Sequence, residues 1–182
     1  MLSLLLIPQL GVASQAPDAA GAASLAYPIT PERRALLNTI RFAEGTWAGG
    51  REEGYRTLYG GGRFEDLSRH PEIAVRRRYV SAAAGAYQFL PSTWKEASAK
   101  LGLRDFGVLS QDQAALYLIE RRGVLMAIDQ RGLDAASLAR LAPVWASLPT
   151  ASGGSYYGQP VKRRAELLQF YRQQLGLLRA SA

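Results

Sequence analysis

The chain has 182 residues, enough for one domain, and its 48% apolar content is enough to fill a core. The formal charge of +7 and a pI near 10.0 attract polyanions, whether nucleic acid, acidic lipid or an anionic bacterial envelope. With no cysteine, one histidine (His70) and no apolar run of membrane-spanning length, disulfides, thiolate chemistry, His-rich metal sites and any histidine triad not built on His70 are excluded. By elimination, catalysis falls to carboxylates.

Residues 1–28 stand apart, an apolar MLSLLLIPQLGV followed by an Ala/Gly/Ser-rich run. They read either as a disordered leader or as a cleavable secretion signal, although no Lys or Arg precedes the run and Pro8 interrupts it. The domain is therefore placed at 29–178. Thr30 and Pro31 predict a helix start, and Gly45 predicts its stop. Within this helix Leu37, Ile40 and Glu44 share one face, while Arg33, Arg34, Asn38 and Arg41 fall mostly on the other. Next comes a glycine-rich excursion, 45–71, read as an irregular β-hairpin with a strand at 55–59 and a second extended piece at 63–64. Beyond 81 the chain turns helical: a GAYQF turn, then a helix from a Ser92 cap to Gly102. A helix follows over 110–123 with a Ser110/Gln113 capping box, then helices at about 124–131 and 134–142, a turn from Pro143 through Trp145, and a tail helix over 160–176. The tail carries Val161, Leu168, Tyr171 and Leu175 along one side. The fold class is α+β, mainly α.

Glu44 is the unusual residue. It ends an apolar stripe at a helix C-terminus, where both desolvation and the helix dipole disfavour the anion and raise the pKa. A carboxylic acid that keeps its proton nearer neutrality suits general acid catalysis. The alternative is that Glu44 snorkels to water or pairs with Arg41 or Arg51. Tyr87 and Gln88 offer an aromatic face and an amide, the combination that sugars require, and Gly85 permits close approach of the chain to a ligand. Tyr156, Tyr157 and Gln159 form a second such set in a polar loop, and Thr46 is placed to bond substrate or Glu44. Tyr87 and Trp94 suit the core as well as they suit a site, Trp145 suits the core, and His70 a turn or loop.

The motifs FAEGT, GYRTLYGGGRFEDLSRHP, SAAAGAYQF with STW, LGLRDF with SQDQAALYLI, VWASLP and YYGQ occur in this order. Together they resemble the lambda-type phage endolysins, a branch of the lysozyme and lytic transglycosylase superfamily, over about 31–175. The resemblance implies a lysozyme-like domain of short helices, a small β-hairpin wing and a cleft between them. It implies Glu44 as the catalytic acid, with Thr46, Tyr87, Gln88, Tyr156, Tyr157 and Gln159 around the substrate. It implies cleavage of the β-1,4 bond between N-acetylmuramic acid and N-acetylglucosamine, with 1,6-anhydromuramyl ends and no cofactor or metal. Hydrolysis at the same bond stays open. So does a basic binding module for nucleic acid or glycan, motivated by 76-RRR-78, 121-RR-122 and 162-KRR-164. The expected partners are peptidoglycan strands and the anionic envelope, not nucleic acid, and the chain is expected to act as a monomer. Its location would be periplasmic or extracellular if 1–28 is a signal, and otherwise cytoplasmic until release to the wall.

Overall fold

The computed structural model describes residues 25–181, and the proposed leader or signal lies, up to residue 24, outside the described residues. The elements are α1 (Pro31–Glu44), β1 (Val75–Arg76), β2 (Val80–Ser81), α2 (Pro91–Leu101), α3 (Val108–Arg121), α4 (Leu125–Arg131), α5 (Ala135–Leu141) and α6 (Arg164–Ala180). β1 and β2 pair antiparallel, Val75 opposite Ser81 and Arg76 opposite Val80. The architecture is mainly α with one small hairpin.

α1 starts and stops where its sequence says. The Thr30 hydroxyl accepts from Arg33 N–H, Pro31 occupies the first turn, and Gly45 closes the helix in the left-handed region at φ 75°. Its polar side is covered too, because α1 is the central helix. Asn38 and Arg41 are buried, and Asn38 donates to Gln174 of α6 at 2.9 Å. The Arg41 guanidinium lies between the Trp47 and Tyr55 rings, 5.0 and 4.5 Å from their centroids. α6 packs along α1, with Phe170 stacked on Phe42 at 4.3 Å. It begins at Arg164 rather than 160, and its buried residues are Leu167 and Tyr171.

The hairpin is elsewhere than the glycine-rich segment suggests. Glu52–Arg56 forms a 3-10 turn, and only a single bridge, Thr57 to Arg63, pairs the pieces expected as strands. Tyr55 in this turn points inward, and its hydroxyl donates to Asp112 at 2.7 Å. The true hairpin lies in 75–81, where a run of arginines hides the period of two.

α3 also differs from its expected cap. It begins two residues earlier, at Val108, and Ser110 donates to Asp105 at 2.7 Å instead of capping. Gln113 is buried and holds both backbone groups of Tyr27 at 2.8 Å, which docks residue 27, assigned above to the leader, onto the domain. α2 likewise starts with Pro91 in its first turn after Leu90, without a Ser92 cap.

Asp112, 1% exposed, is the polar centre of the core. It accepts from the hydroxyls of Tyr55 and Tyr87, and its second oxygen lies 2.7 Å from an Arg34 guanidinium nitrogen. Burial, then Asp112, push both phenols above their ordinary pKa. Beside it Gln111 accepts from Ala86 N–H at 2.8 Å and donates to the carbonyls of Phe106 and Tyr55 at 2.8 and 3.1 Å. Gly85 sits against this side chain at φ 80°, where a Cβ would fall 2.2 Å from the Gln111 oxygen. Its close approach therefore serves Gln111 and not a ligand.

Removing the Asp112 carboxylate leaves two buried phenols and a guanidinium without their acceptor. Asp112→Ala is expected to destabilise the fold by about 3–5 kcal/mol, read as a fall in the urea midpoint at unchanged slope.

Candidate active site

Glu44 is the last residue of α1 and is partly buried at a cleft of about 640 Å³. Desolvation pushes its carboxyl from 4.5 up to about 7, and two groups of Ser147, hydroxyl and backbone, oppose the rise. The Ser147 hydroxyl donates to Oε1 at 2.6 Å. No basic side chain pairs with Glu44 among the described residues, and Arg41 and Arg51 have other partners: Arg41 donates to the Arg51 carbonyl at 2.8 Å, and Arg51 pairs with Glu53 at 3.1 Å. A carboxyl without a cation, titrating near neutrality and with one oxygen fixed, can hold and release a proton on the other oxygen.

Ser147 is placed by the segment after α5. The Trp145 indole N–H donates to the Tyr87 carbonyl at 3.1 Å, and Leu148 N–H returns to the Trp145 carbonyl at 2.9 Å. Farther on, Arg164 at the start of α6 donates to the carbonyls of Thr150 and Ala151 at 3.2 and 2.6 Å. The acid and its hydroxyl partner thus come from segments over a hundred residues apart. Ser147 lies in the quoted VWASLP motif, but a lone serine carries no periodic signal and sequence reasoning passed over it.

The expected substrate residues divide. Gln88, Tyr157 and Gln159 line the cleft with Glu44. The Gln88 amide nitrogen is spent on the carbonyls of Thr57 and Gly85, so a sugar contact falls to its amide oxygen. The Tyr157 hydroxyl donates to the Pro143 carbonyl at 2.8 Å, which leaves the ring as its contact surface. Tyr156 is 54% exposed and packs edge-on against Tyr157, outside the cleft lining. Tyr87 is corrected by the structure: it is fully enclosed, and its hydroxyl belongs to Asp112. Thr46 is corrected too, being 4% exposed and donating to the Ala86 carbonyl, where it ties the end of α1 to the GAYQF segment. His70 is a buried strut, with one ring nitrogen 2.8 Å from the Phe89 carbonyl and the other accepting from Glu72 N–H.

The cleft also takes Tyr59, Tyr79 and Glu96, which the sequence did not mark as site residues, and Arg121 and Arg122, marked there only as a basic pair. Trp145 joins them and is a core anchor as well as part of the wall, 3% exposed. The four carboxylates of the glycine-rich segment after α1, Glu52, Glu53, Glu65 and Asp66, are absent from the lining. The one other cleft acid, Glu96, is paired to Arg121.

Comparison with known proteins gives the family. A family model described as Endolysin matches residues 34–178. The chain is 36% identical over 156 residues to the endolysin of Escherichia phage lambda, covering 83% of this chain and 96% of that one. It is 36% identical over 116 residues to the endolysin of Escherichia phage P2, covering 60% and 67%. Among solved structures, bacteriophage lambda lysozyme complexed with a chitohexasaccharide superposes with a TM-score of 0.73 at 36% identity, over 81% of this chain and 96% of that one. On the cleft, the acid at the helix end and these matches together, the chain belongs to the endolysin family.

Proposed function

We propose that the protein cleaves the glycan strands of peptidoglycan at the β-1,4 bond between N-acetylmuramic acid and N-acetylglucosamine, as a lytic transglycosylase with Glu44 as general acid and then base. The observation that carries this is the state of Glu44: desolvated at the cleft, raised to about 7, and held by Ser147 rather than by a cation. Protonated Glu44 gives its proton to the leaving O4 as the bond to C1 breaks. The carboxylate then takes the proton of the muramyl C6 hydroxyl as that oxygen closes on C1. The substrate supplies its own nucleophile, so one titrating side chain suffices. A retaining hydrolase places a second carboxylate about 5–5.5 Å from the acid, and an inverting one about 6.5–9.5 Å away. Glu96, engaged with Arg121, is the only other acid at the cleft among the described residues, and this supports the one-carboxylate route. The exposed faces of Tyr79 and Tyr157 suit stacking on sugar rings. The lambda lysozyme structure with a chitohexasaccharide supports a glycan in this cleft. The charge of +7 favours encounter with an anionic wall. Like its relatives, the protein would act on the wall after release from the cytoplasm, with export through 1–28 as the second route.

Four outcomes are expected. Glu44→Gln keeps the shape and loses the titrating proton, so cleavage of purified peptidoglycan falls by at least ~10²–10⁴ with the circular dichroism spectrum unchanged. Mass spectrometry of the wild-type digest shows anhydromuramyl ends, whereas reducing ends would establish hydrolysis. The pH–rate profile loses activity as pH rises through about 7, and because Ser147 holds the Glu44 pKa down, Ser147→Ala moves this limb to higher pH. Finally, the folded state holds the Glu44 proton more tightly than the unfolded chain, with a pKa of about 7 against 4.5. Its stability is therefore complete below about 4.5 and falls as pH rises toward 7. Glu44→Gln escapes that loss, so its stability relative to wild type improves between pH 4 and pH 8 by about 3 kcal/mol in urea titrations.

A further inference from the structure

Where the muramyl lactyl groups are amidated by their stems the glycan backbone is neutral, yet the cleft that would hold it is cationic. Its charged lining side chains are Glu44, Glu96, Arg121 and Arg122. With Glu44 protonated and Glu96 paired to Arg121, the Arg122 charge has no acidic partner among the described residues. Arg122 is also positioned. It is partly buried, and its Nε donates to the Arg140 carbonyl at 2.7 Å, which fixes the guanidinium plane and leaves the two terminal nitrogens as a fork. The C-terminal end of α3 favours a basic residue through the helix dipole, but that preference is met by any orientation and does not require the side chain to line the cleft.

The second source of charge is the hairpin. Tyr79, Val80 and Ser81 line the same cleft, and the preceding Arg76, Arg77 and Arg78 are exposed with no carboxylate within 4 Å among the described residues. Arg78 lies over the Tyr79 ring at 5.5 Å, and Arg77 packs against Gly60, where a Cβ would meet its Nε at 2.8 Å. Arg77 is thus held against the glycine-rich segment and Arg78 against Tyr79 of its own hairpin.

We propose that Arg122 and the hairpin arginines Arg76 and Arg78 receive the carboxylates of the peptide stems borne by muramyl residues, so that the enzyme selects stem-bearing strands over bare glycan. This rests on the peptidoglycan-cleaving function above. A stem leaves the muramyl ring through its lactyl ether, outside the scissile bond, and carries free carboxylates that sugar rings lack. A fixed guanidinium fork matches such a group with two parallel hydrogen bonds. The bound stem also fixes the register of the strand, which sets which of its repeated bonds meets Glu44.

The test uses two substrates made from one preparation: stem-bearing glycan strands, and the same strands stripped of peptide by an amidase with the lactyl carboxylates so exposed capped as methyl amides. Initial cleavage rates are compared for wild type, Arg122→Gln and the double variant Arg76→Gln/Arg78→Gln, with thermal melting as a check on folding. Wild type is expected to prefer stem-bearing strands at low salt and to lose that preference as salt is raised. In either variant the ratio of the two rates should fall by about tenfold, the weight of one charge-assisted hydrogen bond. A ratio that stays at the wild-type value in both folded variants overturns the proposal and leaves the cleavage function standing. Wild type that cuts neither substrate overturns the cleavage function, and the proposal with it.

Discussion

The buried Asp112 carboxylate is the point from which the functional geometry is built. It collects the hydroxyls of Tyr55 and Tyr87 and faces the Arg34 guanidinium, so it binds the wing, the GAYQF segment and α1 to one residue of α3. Tyr87, fixed there, offers its carbonyl to the Trp145 indole. Trp145 in turn holds the turn that carries Ser147 to Glu44. An acid in the core thus sets the position of a serine at the cleft by a short series of directional bonds. A buried charge of this kind is tolerated because every partner is a donor, and directional bonds fix position in a way that apolar contacts do not.

Two carboxylates in one small domain are treated in opposite ways. Asp112 is surrounded by donors, and Glu44 has only Ser147, with burial left to raise its pKa. The difference follows from what surrounds each: phenols and a guanidinium in the first case, a helix C-terminus and the residues around Trp145 in the second. The cost of keeping Glu44 poorly solvated falls on the folded state at neutral pH and above, a trade common at catalytic acids. Arg41, one turn before Glu44, is kept from pairing with it because Trp47 and Tyr55 enclose its guanidinium.

What could be read from the sequence was what is local. Thr30, Pro31 and Gly45 delimit α1 through backbone hydrogen bonds within a few residues, and Glu44 at the end of the stripe followed from that register. Gly102, and Asp134 before α5, mark their helix ends in the same local manner. What could not be read depends on partners distant in the chain. Ser110 looked like a cap, yet Asp105 takes its hydroxyl, and Gln113 is called away by Tyr27. Tyr87 and Thr46 sit in motifs that suggested sugar binding, but their polar atoms are consumed by α3 and by the Ala86 carbonyl. Ser147, Arg122 and Tyr79 reach the cleft only through tertiary packing, for which no spacing in the sequence gives a cue.

The dependence of the cleft on α6 sets an order of events during synthesis. α6 lies along α1, which bears Glu44, and its Arg164 holds the carbonyls just beyond Ser147. Until that helix has cleared the ribosomal exit tunnel, the carbonyls just beyond Ser147 lack their Arg164 partner and the Phe42 ring lacks Phe170. A nascent chain stalled before residue 164 would expose Phe42 and leave the Ser147 turn untied at its far end, so the pairing of that serine with Glu44 is not secured until nearly all of the described sequence has been translated.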